Sequence, residues 1–180
     1  MRIIGGKYKG RVIRPPKGLP VRPTTDQAKE GLFNILAHRF ELEGAVVLDG
    51  FAGTGNMSYE FLSRGAESVT AVDRHPKCVQ YIKEQFLLLE ASGSKALRSD
   101  VGKFFKQDSG IYDLIFLDPP YGMEGLMELV ETSFRRNLVA EGGWDILEHP
   151  TREDYSQSAY FYELRKYGSS SFSIFQAPES

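Results

Sequence analysis

Short, near-continuously apolar runs alternate with helix-patterned segments through most of this chain, and that alternation fixes its architecture. Ala45–Leu48, Ser68–Val72, Lys95–Ser99, Asp113–Leu117 and Trp144–Leu147 read as strands. Between them lie helical patterns: Met57–Ser63, a long helix opened by Pro76, a short one at Gly102–Phe105, and Leu126–Asn137. In the long helix Val79, Ile82, Phe86 and Leu89 recur at helical spacing and form its core side. Strands apolar on both faces belong to parallel sheets covered by helices on either side. Two more strands, Tyr160–Tyr167 and Ser171–Gln176, meet at Gly168 and complete a seven-stranded, mostly parallel, doubly wound α/β sheet. A further helix precedes the first strand, with Thr25 as its N-cap and Ala28, Leu32, Phe33, Ile35 and Leu36 on its apolar side, running to about His38.

Ligands of such sheets bind beyond the carboxyl ends of the strands. Acids fall there four times: Asp49, Asp73, Asp100 and Asp118. Asp49 begins the turn Asp49-Gly50-Phe51-Ala52-Gly53-Thr54-Gly55, where Gly53 and Gly55 let backbone approach a ligand. The third position of a dinucleotide fingerprint is Ser58 instead of glycine, and a leading carboxylate suits an ammonium or sulfonium better than a pyrophosphate. Asp73 lies 24 residues after Asp49, where a carboxylate grips ribose hydroxyls. Asp100 is placed to accept from an adenine amine. Singly, Asp73 or Asp100 reads as a helix N-cap; together with the glycine loop they describe S-adenosylmethionine, with Phe51, Ala52, Thr54, Arg74 and Val101 as neighbours in the site.

Asp118-Pro119-Pro120-Tyr121 follows the apolar run Leu114–Leu117. Each proline fixes its φ and has no N–H, so the segment neither continues a strand nor starts a helix. The result is an acceptor-only slot, a carboxylate and carbonyls beside an aromatic face, suited to a flat base with an exocyclic amine. A plain strand-ending loop is the competing reading.

Charge is distributed unevenly. Met1–Thr25 holds seven basic residues (Arg2, Lys7, Lys9, Arg11, Arg14, Lys17, Arg22) and no acid, which leaves the remainder at −9 within a net −2. Arg2-Ile3-Ile4 and Arg11-Val12-Ile13 flank glycine-rich turn residues as a hairpin, and Pro15-Pro16, Gly18, Pro20 and Pro23 make a stiff connector. A basic arm on an acidic body fits a polyanionic partner, with a merely solvated hairpin as the alternative. The expected division is residues 1–24 as arm and connector and 25–180 as the main domain. No apolar run is long enough to span a membrane, Met1-Arg2-Ile3-Ile4 opens no secretory signal, and the single Cys78 excludes an internal disulfide or cysteine zinc site. These features predict a cytoplasmic, metal-free protein, expected to be monomeric, with Cys78 as packing.

The glycine loop, the Asp118–Tyr121 slot, Arg22-Pro23-Thr24-Thr25-Asp26, Leu32-Phe33-Asn34-Ile35-Leu36, the block Arg2–Arg11 and Tyr167-Gly168 together resemble the RsmD-type methyltransferases. The resemblance runs over nearly the whole chain, and its amino-terminal block is the more specific part. It implies a Rossmann-like class I S-adenosylmethionine-dependent methyltransferase that methylates N2 of a guanine in small-subunit (16S) ribosomal RNA, naked or in an assembling 30S particle. By the same resemblance, Asp118, Pro119, Pro120 and Tyr121 are the catalytic slot, and Lys7, Lys9, Arg11, Arg14 and Arg22 contact RNA phosphates. Gly50 departs from the family, whose loop carries a bulky apolar residue there; looser packing beneath the cofactor is expected. Glu148-His149 is read as structural or site-lining, not as a general base. The alternatives are an amino-methyltransferase acting on adenine or cytosine of DNA or RNA, and a non-catalytic RNA-binding assembly factor with a vestigial cofactor fold.

Overall fold

The computed structural model describes residues 1–21 and 24–178. Its elements run α1 (Asp26–Arg39), β1 (Val46–Gly50), α2 (Asn56–Ser63), β2 (Ser68–Asp73), α3 (Pro76–Leu88), β3 (Lys95–Arg98), α4 (Val101–Gln107), β4 (Tyr112–Leu117), α5 (Leu126–Arg135), β5 (Val139–Pro150), β6 (Phe161–Tyr167) and β7 (Ser170–Gln176). The strands form one sheet in the order β3-β2-β1-β4-β5-β7-β6. β1 to β5 are parallel, while β7 enters antiparallel between β5 and the edge strand β6. The doubly wound, seven-stranded expectation is therefore met.

Alternate strand residues feed two apolar layers, as a period of two requires. Val47, Val69, Leu114, Phe116 and Ile146 face α1, α2 and α3, together with Leu32, Phe33, Phe61 and Ile82. Leu48, Val72, Ile115, Leu117 and Leu147 face α4 and α5, against Phe105, Val130 and Phe134. Cys78 is buried, as packing requires. The edge strand β6 carries Glu163, Arg165 and Lys166, charges that discourage pairing with another chain.

Boundaries differ where local patterning competes with tertiary pairing. β5 is twelve residues long, because Val139 pairs with Tyr112 and pairing resumes, past a register shift, at Leu114 and Trp144. α5 stops before Asn137, which adopts φ 56°, and α4 extends beyond the expected four residues because its cap, Asp100, and Phe105 both hold it. The arm's hairpin is narrow: one antiparallel bridge, Arg2 to Val12, flanked by Ile3 N–H to Arg11 O and Ile13 N–H to Met1 O. Ile3 and Ile13 are nonetheless buried in the same layer as α1 and α2. Among the described residues no helix is long and apolar enough to cross a membrane, and no group of three or more metal-ligand side chains occurs.

Candidate active site

Register places the strand ends in one row: Arg98 beside Asp73, Val72 beside Gly50, Gly50 beside Leu117, and Leu117 beside Leu147. The order reverses between β1 and β4, so the glycine loop after β1 and the proline slot after β4 flank the switch point where such sheets take ligands.

The loop after β1 is built from unusual backbone. Phe51, Gly53 and Gly55 all have positive φ, 58°, 58° and 90°. Ala52 N–H donates to Val72 O, and a side chain on Gly55 would overlap the ring of Tyr59, whose hydroxyl donates 2.6 Å to Thr54 O. Phe51 is half-buried while Ala52 and Thr54 are buried, so the loop offers mostly main chain to its outer side. Asp73, half-buried at the end of β2, accepts from Gly53 N–H at 2.8 Å and from His75 N–H at 2.9 Å. It thereby stitches the glycine loop to the turn entering α3.

Asp49 does not project into solvent. It is 1% exposed, and Ser58 Oγ donates to its Oδ2 at 2.6 Å. Burial pushes its pKa up to about 7, the nearby Asp73 charge adds to that, and the bonds from Ser58 oppose it. Ser58, read from sequence as a departure from a glycine pattern, is thus fully buried and serves as the acid's partner.

On the β3 side Asp100 caps α4, its Oδ1 accepting from Lys103 N–H at 3.0 Å. The N-cap reading holds for it, with the carboxylate still exposed at the strand end. Val101, the first residue of α4, is buried beside the glycine loop, its Cγ1 3.4 Å from the position of a Gly50 Cβ. Arg74 is exposed, and its carbonyl accepts from Arg98 Nε at 3.3 Å.

In the slot, Asp118 is half-buried, Pro119 buried, Pro120 exposed, and Tyr121 57% exposed. The backbone turns through Gly122 and Gly125, both at positive φ, and Gly125 opens α5. Glu148, on β5 one step past the Leu117–Leu147 pair, is 3% exposed and accepts from Ser170 Oγ at 2.8 Å and Thr24 Oγ1 at 3.3 Å. His149 is equally buried; Nδ1 lies 2.9 Å from Pro150 O and Nε2 2.7 Å from Ser173 Oγ. A carbonyl only accepts, so Nδ1 carries the proton and Nε2 accepts from the serine. Burial lowers the imidazole's pKa despite the Pro150 bond and the acids Glu153 and Asp154. With both nitrogens already hydrogen-bonded, to Pro150 O and Ser173 Oγ, His149 ties β5 to β7.

Lys7, Lys9, Arg11 and Arg14 are all exposed on the arm, Lys7 Nζ lying 5.1 Å from the Tyr8 ring centre. Arg22 lies outside the described residues. The arm is seated against α2: Ile4 and Gly5 N–H donate to Glu60, Lys7 N–H to Ser63 O, and Tyr8 N–H to Ser63 Oγ. Sequence patterning missed Glu60 and its partner Lys29, because a charged residue within an amphipathic helix is ordinarily solvated. The signal was positional: Lys29 stands one turn before Leu32 and Phe33, and Glu60 lies between Tyr59 and Phe61.

Known proteins resemble this chain in sequence and in fold. Over residues 1–176 the chain matches the family model described as Conserved hypothetical protein 95. It is 35% identical over 144 residues to the Ribosomal RNA small subunit methyltransferase D of Escherichia coli K12, covering 80% of this chain and 69% of the relative. Its Haemophilus influenzae namesake is 29% identical over 184 residues, covering 89% and 93%. Among solved structures, the Thermus thermophilus protein TTHA0928 superposes with a TM-score of 0.82 at 27% identity, covering 98% and 99% of the two chains. The 16S rRNA N2 guanine methyltransferase RsmC of T. thermophilus, solved with AdoMet and guanosine, shares the fold at a TM-score of 0.71 and 20% identity, over 89% and 46%. The chain belongs to the Conserved hypothetical protein 95 family, that of the RsmD-type ribosomal RNA small subunit methyltransferases.

Proposed function

We propose that this chain transfers a methyl group from S-adenosylmethionine to the exocyclic N2 of a guanine in small-subunit ribosomal RNA. The observation that carries the reading is the adjacency of the glycine loop and the slot, through the neighbouring ends Gly50 and Leu117. The residues present fit the cofactor: a main-chain cradle at positive φ, with the Asp73 carboxylate held against it by Gly53 N–H and Asp49, buried on Ser58, in the strand that leads into it. Phe51, Ala52, Gly53, Thr54, Gly55, Asp73, Arg74, Asp100 and Val101 would hold it, with Asp49 acting from beneath the surface, through its bond to Ser58, on the start of the loop. When bound, the cofactor supplies an electrophilic methyl on a sulfonium.

The chain's own residues do the rest. The target base leaves its stack at a cost of about a few kcal/mol and lies against the exposed Tyr121 ring. Asp118 and the Pro119 carbonyl accept the two amine hydrogens, which orients the nitrogen lone pair toward the glycine loop. Rigid prolines hold those acceptors without reorganisation, so the rate gain is mostly positioning. Asp118 takes the proton that the methylated amine sheds. Exposed Lys7, Lys9, Arg11 and Arg14, with Arg22, contact phosphates and set orientation without reading sequence.

The test is methyl transfer from labelled S-adenosylmethionine to unmethylated small subunits and to naked 16S transcript, followed by nucleoside digestion. Labelled N2-methylguanosine is expected. Label on adenine or cytosine would overturn the target, and binding of the cofactor without any transfer would favour a non-catalytic assembly factor.

A further inference from the structure

A buried ammonium joins the arm, α1 and the beginning of α2. Lys29 of α1 is 1% exposed, and its Nζ reaches Arg2 O at 3.1 Å, Asn56 Oδ1 at 2.8 Å and Glu60 Oε1 at 2.9 Å. Three protons meet three acceptors, from the arm and from two places on α2. Glu60, 0% exposed, also accepts from Ile4 N–H at 2.9 Å, Gly5 N–H at 3.0 Å and Arg64 Nε at 2.9 Å. Burial works to raise its pKa, but the bonds from Ile4, Arg64 and Lys29 outweigh it and hold the carboxyl below its ordinary value.

Asn56 is the first residue of α2 and follows Gly55, the positive-φ residue that ends the glycine loop. The cluster that seats the arm therefore also holds the residue that directly follows that loop. Well-packed apolar side chains would fill such a space at equal or lower free energy than a buried ion pair. What the ion pair adds is direction: it fixes the arm, α1 and the loop's exit to one another at hydrogen-bond tolerance.

We propose that Lys29 is a positioning residue which, through Asn56, couples the seating of the basic arm to the shape of the glycine loop, so that RNA on the arm tightens cofactor binding. The inference rests on the reading above, in which the arm meets RNA and the loop holds the cofactor. Phosphates held by Lys7, Lys9 and Arg11 restrict the arm, and the arm's Arg2 carbonyl and Ile4 and Gly5 amides end on this cluster. An arm so ordered leaves Lys29 less freedom to release Asn56, and the second ligand then meets a loop already set.

The full chain is titrated with S-adenosylhomocysteine, which cannot be turned over, in the absence and presence of saturating unmodified 16S transcript. The wild type is expected to bind it about fivefold or more tighter with RNA. Asn56→Ala removes the link while leaving Lys29 its bonds to Glu60 and Arg2 O; its RNA-induced tightening is expected to fall below about twofold. Losing one acceptor of a buried ammonium should lower its melting temperature by about 2–8 °C, while the salt dependence of its RNA binding and its affinity for S-adenosylhomocysteine without RNA should stay close to the wild type, a combination that simple loss of structure would not give. Asn56→Asp keeps an oxygen for the ammonium and should keep the coupling. Full coupling in Asn56→Ala, or none in the wild type, overturns the proposal. A wild type that binds neither ligand would instead remove the functional reading, and it would do so before any variant is compared.

Discussion

Leu117 fills the space that a side chain at Gly50 would need. Its Cδ2 lies 2.6 Å from the position of a Gly50 Cβ, with Val101 Cγ1 at 3.4 Å behind it. The glycine expected to loosen the site is instead packed from the neighbouring strand, since Leu117 is fully buried and has nowhere to swing. Gly50→Ala should therefore destabilise the fold by about 1–3 kcal/mol through overpacking. The double variant Gly50→Ala with Leu117→Ala should lose less than the sum of the two single losses. Urea unfolding of the four proteins checks this, and additivity within about 0.5 kcal/mol would show that the two side chains do not compete.

Asp118→Ala should reduce methyl transfer by at least about a hundredfold, the lower end of what a positioned proton acceptor contributes. Binding of the cofactor should be close to unchanged, because the carboxylates beside the glycine loop, Asp49 and Asp73, are on other strands. Single-turnover transfer and equilibrium binding measured on one preparation separate the two. Wild-type transfer by this variant would move the chemistry away from the slot.

Replacing Lys7, Lys9 and Arg11 together by alanine should weaken RNA binding and lower the slope of log affinity against log salt by about two to three, one counterion-release step per lost contact. These side chains are exposed, so the fold should tolerate their loss. An unchanged slope would return the arm to the status of a solvated hairpin.

Asp145 is fully buried in β5, and Ser133 Oγ lies 2.7 Å from its Oδ2 and 2.6 Å from Val130 O. One hydroxyl hydrogen cannot serve two acceptors, so a proton on Asp145 that donates to Ser133 completes the chain. Burial pushes its pKa up to about 8, only partly offset by the serine bond. The folded state thus keeps a proton that the unfolded state, with an ordinary carboxylate pKa, gives up near pH 4. Stability from this group is full at low pH, declines as pH rises from about 4 to about 8, and levels off beyond. Asp145→Asn, whose amide can donate permanently to Ser133, should flatten the fall of the urea midpoint between pH 5 and pH 8, leaving the smaller contribution of Asp49. An identical pH slope in both proteins would show that Asp145 is not the proton holder.

Sequence patterning revealed the sheet and the loops that end β1 and β4 because those features are written locally. Apolar period, proline stops and glycine turns sit within a few residues of one another, as at Leu114–Pro120. What it missed depends on contacts between distant residues. Leu117 answering Gly50 needs the β1–β4 register, and the burial of Lys29 against Glu60 needs α1, α2 and the arm to meet. The same holds for Gly31 inside α1, a poor helix former that is present because the ring of Tyr167, on β6, occupies the place of a side chain there. The length of β5 was hidden too, since its start, Val139, pairs with Tyr112 only across a register shift that sets it apart from the run beginning at Trp144.

The seating of the arm sets limits on how this protein can change. Glu60 is completed by two arm amides, and Ile3 and Ile13 fill the apolar layer beneath α1 and α2. Removing the first thirteen residues would uncover that layer and strip a buried carboxylate of donors, so a truncated chain would fail as a folding unit before it failed as a binder. Lys7, Lys9 and Arg11, by contrast, stand clear of all this and can be exchanged freely. If the arm meets RNA as proposed, selection can retune that grip residue by residue, while the segment's length and path stay locked to the interior.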